Sequence, residues 1–504
     1  MKTNIIYILF FATLCFSCDR DFLKEDPRSV LNPVGFYTDE AGLRAGVNAT
    51  YAALRPMYGE QEAPFQLTLL GTDLFTHGKA EIGLPFDYYD ADLNSFSGEV
   101  AFIWNNCYNL INIANSVVSS APEVQMNEVE KNHLVGEARF IRALAYFWLV
   151  QQFSDVPLRL EPTMGVVREV KRNSKDEVYK AIIADLVTAE ANLGDSHAQW
   201  GRVRKGAARH LLSKVYLTIG DWENAFFYAD KVIADKSNYG LEATFSDIFH
   251  HDNQVNKEVV FSVQYRNDLV NSGIGNRTHL FFTNSYSDIP GMQRELQWGR
   301  PWSRYAPTAF LMSLFDDESD ERTDIWRTFD DFYYNNPSSL PDGKSLGDPI
   351  DPSWENTIEF HPALIKYWDP TRPQVNEERG NKDFIVFRLA ETYLIAAEAL
   401  LMDGKRAAAL PYFNAVRQRA SREGYDLSVT EEMLDVDLIL DERARELAGE
   451  MHRWFDLVRT GKAVERIRLY SKNGANIQPH HLLRPIPQNE IDLLETPLPQ
   501  NDGY

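Results

Sequence analysis

Cysteine is almost absent from this chain of 504 residues, which has only Cys15, Cys18 and Cys107. A chain this long can bury one large core or two to three smaller ones, so it needs no disulfide staples. Cys107 sits in an apolar helical pattern, which assigns it a buried, inert thiol. Basic charge is also short, with 51 Lys and Arg against 73 Asp and Glu and a formal net charge of −22. A surface this acidic repels phosphate backbones and strongly anionic polymers, which excludes nucleic acid and leaves neutral ligands open. After the first 18 residues no segment reaches the apolar length of a membrane span. No G-x-S-x-G, H-E-x-x-H, Walker loop, complete dinucleotide fingerprint or spaced Cys/His metal set occurs, so no catalytic residue, cofactor or metal is expected. A glycosidase carboxylate pair is defined by distance in space, and so many acids leave a hydrolase open as an alternative.

What is present begins with MKTNIIYILFFATLCFSC. Lys2 supplies a positive n-region, and the apolar run from Ile5 to Leu14 is too short for a stable membrane helix. Residues 1–17 therefore read as a cleaved export signal. Ser17 before Cys18 fits a bacterial lipoprotein site, in which Cys18 becomes the first residue and carries lipid. Leu14 lies one place early for such a site, and an ordinary secretory signal is the competing reading. Several acyl chains on Cys18 would anchor the chain stably. Cys15 would leave with the signal, so Cys107 has no partner. Residues 18–35 mix acids with two prolines, which suits an extended tether.

Helical periodicity dominates from residue 36 to about residue 235. Thr38 is a candidate cap for a helix on which Leu43, Val47, Tyr51 and Leu54 share a face before Pro56 stops it. Residues 99–118 and 131–152 show the 3.6-residue spacing, closed by Pro122 and Pro157. A second pair covers 174–193 and 204–219, and Gly220-Asp221-Trp222 leads into a helix over 223–234. Ala208, Leu212, Tyr216, Ala225 and Ala229 follow the tetratricopeptide pattern of small residues where helices touch. A similar pair recurs at 384–402 and 405–420, with Ala396, Ala397 and Ala399 in the small-residue role. The helical repeats thus cover about 99–235 and 384–420. Between them, over 239–382, the period fades and Gly, Asn, Pro, Asp and aromatics take over, with a helical segment at 308–315. Long loops on a rigid frame are where ligand sites tend to lie. The expected fold class is mainly α, a tetratricopeptide-like helix-pair scaffold with a large irregular loop-rich insertion, forming a single domain over 36–504.

Four stretches together resemble the SusD/RagB family of outer-membrane nutrient-binding lipoproteins. They are GEARFIRALAYF at 136–147 with DVP at 155–157; FRLAETYLIAAEA at 387–399 with VRQR at 416–419; a signature over 441–457 built on Glu442, Arg443, Glu446, Glu450 and Arg453; and PIPQNEI at 485–491 with QNDGY at 500–504. The last two make up a C-terminal signature region, 441–504. Asp502 replaces the family's usual proline. The resemblance runs from Cys18 to the last residue. It implies a surface-exposed, lipid-anchored protein of the cell outer membrane that captures a glycan, or in some members a peptide, and acts as a lid on a SusC-like, TonB-dependent transporter. It implies no catalytic machinery.

Most signature charges first need a structural account. Arg388, Glu391, Ile395 and Glu398 fit one face of a helix, from which the acids would meet Arg417 or Arg419 in a buried ion-pair lattice that fixes helix register. The cluster of Glu442, Arg443, Glu446, Glu450 and Arg453 reads the same way.

Sugar recognition needs flat apolar faces for pyranose rings and planar polar groups that fork to neighbouring hydroxyls. Two stretches offer both. Residues 71–96 hold Asp73, His77, Tyr88 and Tyr89, and residues 284–305 hold Arg294, Trp298, Arg300 and Trp302. Trp298, between Gln297 and Gly299, is the leading candidate, while Trp302 sits in a stretch that also suits packing. For each ring, coring its own loop is the competing reading. Asp90-Ala-Asp92-Leu-Asn94 copies part of a calcium loop, but Ser95 and Ala101 stand where glycine and a bidentate acid belong.

Overall fold

Side-chain caps decide where the helices begin in the computed structural model, which describes residues 37–504 apart from 166, 267–272, 317 and 356. The expected signal, Cys18 and the tether lie outside the described residues. Asp39, not Thr38, caps α1 (Glu40–Leu54), its Oδ1 accepting the Gly42 N–H at 2.8 Å. After α2 (Ala63–Leu69), Ser97 caps α3 (Gly98–Ser120) and Asn127 caps α4 (Glu128–Phe153). Ser174 and Glu177 form a capping box at α5 (Lys175–Asn192). Helix α6 (Lys205–Ile219) ends at Gly220 in the left-handed region, and Asp221 caps α7 (Trp222–Ile233).

These helices pack in sequence, α1 on α3, then α4, α5, α6 and α7. The array continues after an excursion of some 155 residues, because α8 (Leu389–Met402) lies against α7 and α9 (Arg406–Arg419) against α8. The expected small residues are at the contacts, with Ala208, Ala225, Ala229, Ala396, Ala397 and Ala399 all fully buried. Helix makes up about 50% of the chain and strand 6%, so the fold is mainly α as the periodicity implies. Arg142, from the GEARFIRALAYF motif, forks Asp185 at 2.7 Å and so locks α4 to α5.

The insertion leaves and returns at the same place. Strand β2 (Val259–Val263) pairs antiparallel with β6 (Phe384–Arg388), setting Val259 beside Arg388. Residues 384–388 are therefore a strand and not the start of the helix. The run Phe384-Ile-Val-Phe387 suits a pleated, half-buried surface better than a first helical turn. Strand β1 (Phe75–His77), from the loop ahead of α3, pairs with β3 (Tyr305–Pro307) of the insertion, and within the insertion β4 (Trp326–Arg327) pairs with β5 (Ala363–Leu364). The insertion also has a small core of its own, built on Tyr286, Trp298, Phe332, Tyr334, Ile350 and Phe360.

A buried lattice of charge joins these parts. Arg388 closes β6 and reaches Glu258 at 3.0 Å, Glu446 at 2.5 Å and Glu450 at 2.8 Å. Glu446 and Glu442 lie on α10 (Val436–Leu447), and both meet Arg322 of the insertion, at 3.0 and 2.6 Å. Arg417 reaches Glu442 at 2.6 Å, Arg419 reaches Glu258 at 2.7 Å as well as Glu446, and Lys366 reaches Glu450 at 2.6 Å. The lattice expected from the sequence exists with different partners. Glu391 meets Lys214, His210 and Arg443, and Glu398 meets Arg459, because Arg417 and Arg419 turn towards α10 instead.

Burial alone would raise the Glu446 pKa, but Arg419, Arg388 and Arg322 outweigh it and hold the carboxyl down to about 2. A carboxylate lowered in the folded state stabilises the fold above its ordinary pKa near 4.5, and that stability drains away as pH falls towards 2. Glu446→Gln is expected to cost about 3–5 kcal/mol, since it strands buried guanidinium groups. Urea unfolding at pH 7 measures the loss, and the variant should show a flatter decline between pH 4.5 and 2 than the parent.

Candidate functional site

The two stretches singled out in the sequence meet through the β1–β3 pair. Gly78 N–H donates to Arg304 O at 2.9 Å, and Lys79 N–H donates to Ser303 Oγ at 3.1 Å. A Cβ on Gly78 would lie 2.3 Å from Ser303 O, so only glycine permits this approach. The Lys79 ammonium then bridges Asp288 at 3.0 Å and Glu359 at 3.3 Å.

The eight candidate residues separate into several environments. Asp73 is fully buried and takes Arg453 on both oxygens, with Arg466 at 3.0 Å on one of them. Burial raises its pKa, but the two arginines outweigh that and lower it. No oxygen is left for a ligand. Tyr89, only 3% exposed, turns inward at a left-handed backbone position, donates to Gly71 O at 2.9 Å and packs on His481. His77 is held by buried Asp87 at 2.6 Å, the same oxygen that accepts Thr76 and Asn473, and Tyr88 stands edge-on to it, half-buried. Trp302 is packed, as its setting in the sequence allowed, with Phe281 stacked at 5.8 Å and Arg277 and Arg304 over its ring.

Arg294 and Arg300 do come together, both on Asn376 of the insertion, while Trp298 between them in the chain turns into the insertion's own core. Trp298 is 3% exposed, so its ring offers no open face. The flanking Gln297 and Gly299 suggested exposure, but Tyr286 and Phe332 cover the indole at 5.3 and 5.0 Å, and its N–H donates to Asp331 O at 3.2 Å. It props up Tyr333 instead, whose ring stands edge-on to it at 4.9 Å and is 39% exposed. The segment that carries Trp298 also carries groups that fork. Gln297 donates to the Tyr333 hydroxyl at 2.8 Å, Arg294 donates to Asn376 Oδ1 at 3.1 Å, and Arg300 donates to Asn376 O at 2.8 Å while pairing with Glu378 at 2.7 Å. Trp368, half-buried, donates to Leu296 O at 3.3 Å. An exposed tyrosine ring with an amide on its hydroxyl has the chemistry to stack a sugar and bond its hydroxyls.

Tyr333, Gln297, Asn376 and Trp368 were not among the candidates. The adjacent Tyr333-Tyr334-Asn335-Asn336 run carried the signal of ring and amide together, but lies outside both stretches. The partial calcium motif is a turn: Asp90 accepts the Asp92 N–H, and Asn94 accepts the Phe96 N–H. Trp298→Ala should lower unfolding stability by about 3–5 kcal/mol, as for other buried aromatic truncations. Tyr333→Ala should change it by less than about 1 kcal/mol, and thermal denaturation of both variants checks the contrast.

Comparison with known proteins bears on this geometry. A family model described as "SusD family" matches residues 257–504, and one described as "Starch-binding associating with outer membrane" matches 44–217. A SusD-like protein of Formosa agariphila is 28% identical over 99% of both chains. Starch-binding protein SusD of Bacteroides thetaiotaomicron is 26% identical over 75% of this chain and 74% of its own. Among solved structures, a laminarin binding SusD-like protein is 27% identical with a TM-score of 0.75, covering 93% of this chain and 100% of that one. A SusD homolog from Bacteroides thetaiotaomicron reaches 0.77 at 21% identity, a likeness of fold. No helix among the described residues is long and apolar enough to cross a membrane.

Proposed function

This chain belongs to the SusD/RagB family, and on that premise we propose that it is a cell-surface protein that captures oligo- or polysaccharide on its insertion face and passes it to a SusC-like, TonB-dependent transporter. Family members bind glycans and work with such transporters. The observation that carries the reading is the Tyr333 face: a part-exposed ring braced by buried Trp298, with Gln297 on its hydroxyl and, three residues before Gln297 in the chain, Arg294 held by Asn376. The relatives named for starch and laminarin support a glycan over a peptide. The chain's acid excess favours one that is not strongly anionic.

Grip here needs no bond cleavage. The lattice spends its acids on arginine and lysine, and a general acid would need a raised pKa beside an open sugar site. Anchoring through lipid on Cys18 holds the binding face at the outer-membrane surface, where the transporter lies.

A glycan array on the full chain, followed by affinity electrophoresis with the best polysaccharide, tests the proposal. Retarded migration without released reducing ends is expected. Tyr333→Ala should weaken binding by about 1–3 kcal/mol with its melting temperature unchanged. Release of reducing ends by the pure protein would make it a hydrolase, and unaltered affinity in Tyr333→Ala would move the site elsewhere. Replacing Cys18 with serine should shift the protein out of the outer-membrane fraction, read by cell fractionation.

A further inference from the structure

Helix α4 carries His133 and Glu137 one turn apart on the same face, and the loop before α6 brings His197 against them. The two imidazole rings lie 5.1 Å apart, tilted by 33°. His133 Nε2 is 3.7 Å from Glu137 Oε1, beyond hydrogen-bond length. Both atoms are buried and neither has a hydrogen-bond partner. Glu137 is 1% exposed, and its other oxygen is fully used, accepting from Tyr51 and from Arg202 at 3.0 Å. A buried carboxylate oxygen and a buried imidazole nitrogen thus face each other, neither with a hydrogen-bond partner, and leave room for a third group.

One ligand atom from each of the three residues lies within 4.8 Å of the other two. Ligands held about 2.1 Å from a shared ion are at most about 4 Å apart, so modest side-chain rotation closes the set. Two imidazoles and one carboxylate leave a fourth position, the donor set that suits a tetrahedral divalent transition metal. His133 Nε2 is the unpartnered nitrogen of its ring and faces the cluster. His197 Nδ1 accepts the Gln199 N–H at 2.9 Å and lies 3.2 Å from Gln199 O. A metal on Nε2 requires the ring tautomer with its proton on Nδ1, so binding exchanges the N–H contact for one to that carbonyl, the outer contact that orients metal-bound histidines. Arg202 opposes a cation from the far oxygen, and Glu130 on the same helix partly offsets it.

We propose that His133, Glu137 and His197 form a zinc site. The ion ties the loop before α6 to helix α4. Through the second oxygen of Glu137 it also fixes Tyr51 and Arg202, which line a cleft of about 440 Å³ together with Arg55 and Trp200. Metal occupancy thereby sets one wall of a concavity remote in sequence from the Tyr333 face.

The test strips the full chain with a chelator and titrates zinc chloride against a chromophoric competitor. One zinc per chain is expected, with binding weakened more than about tenfold in His133→Gln and in His197→Ala, and retained in a His480→Ala control. Circular dichroism of the zinc-free variants verifies that they are folded. Cobalt(II) loading of the unaltered chain needs no substitution: intense visible bands of four-coordinate cobalt support the site, and the faint spectrum of the hydrated ion overturns it. Zinc uptake that is absent, or equal in parent and both histidine variants, also overturns it.

Discussion

Buried charge must be paired, and in this protein that requirement holds three parts of the chain together at one point. Glu258, Arg322 and Lys366 come from the insertion, Arg388, Arg417 and Arg419 from the helical array and its leading strand, and Glu442, Glu446 and Glu450 from the C-terminal signature. Arg322, Arg388 and Arg419 are each shared between carboxylates, so no part can shift without stranding a charge in a dry interior. An insertion with little regular structure thereby acquires one position relative to the array. The strand pair β2–β6 reinforces the same join, because the chain leaves and re-enters the array side by side.

Fixing the insertion has a consequence for recognition. Its outer face rests on a small aromatic core of its own, in which Trp298 is the wedge and Tyr333 the ring left partly open. A face already ordered before the ligand arrives loses less conformational entropy on binding. Neighbouring side chains are likewise held in place, Arg294 and Arg300 by Asn376 and Gln297 by Tyr333. On this reading the scaffold supplies rigidity, and loop residues supply chemistry.

Local pattern and long-range pairing were not equally legible in the sequence. Helix starts could be read to within a residue or two because apolar spacing is local, as near Ser174 and Asp221, although the one cap named, Thr38, gave way to Asp39. Residues 384–388 escaped because a short aromatic and β-branched run is ambiguous until its partner strand, some 120 residues earlier, is known. The signature charges announced a buried lattice, yet which acid met which base depended on contacts such as Arg322 with Glu442, which no spacing rule encodes. At the candidate site Arg294, Trp298 and Arg300 pointed to the segment that packs against Tyr333. A tryptophan flanked by polar residues gives no sign of whether rings from residues 286 and 332 will cover it, so the buried support was legible and the exposed ring was not.

Hydrogen–deuterium exchange of the full chain with and without a bound glycan tests the central claim most directly, that a rigid helical frame presents ligand-gripping loops. Protection confined to segments around 293–300, 333–336 and 368–378, with the array unchanged, is the predicted result. Protection spread over the helical array, or none on the insertion, would contradict it.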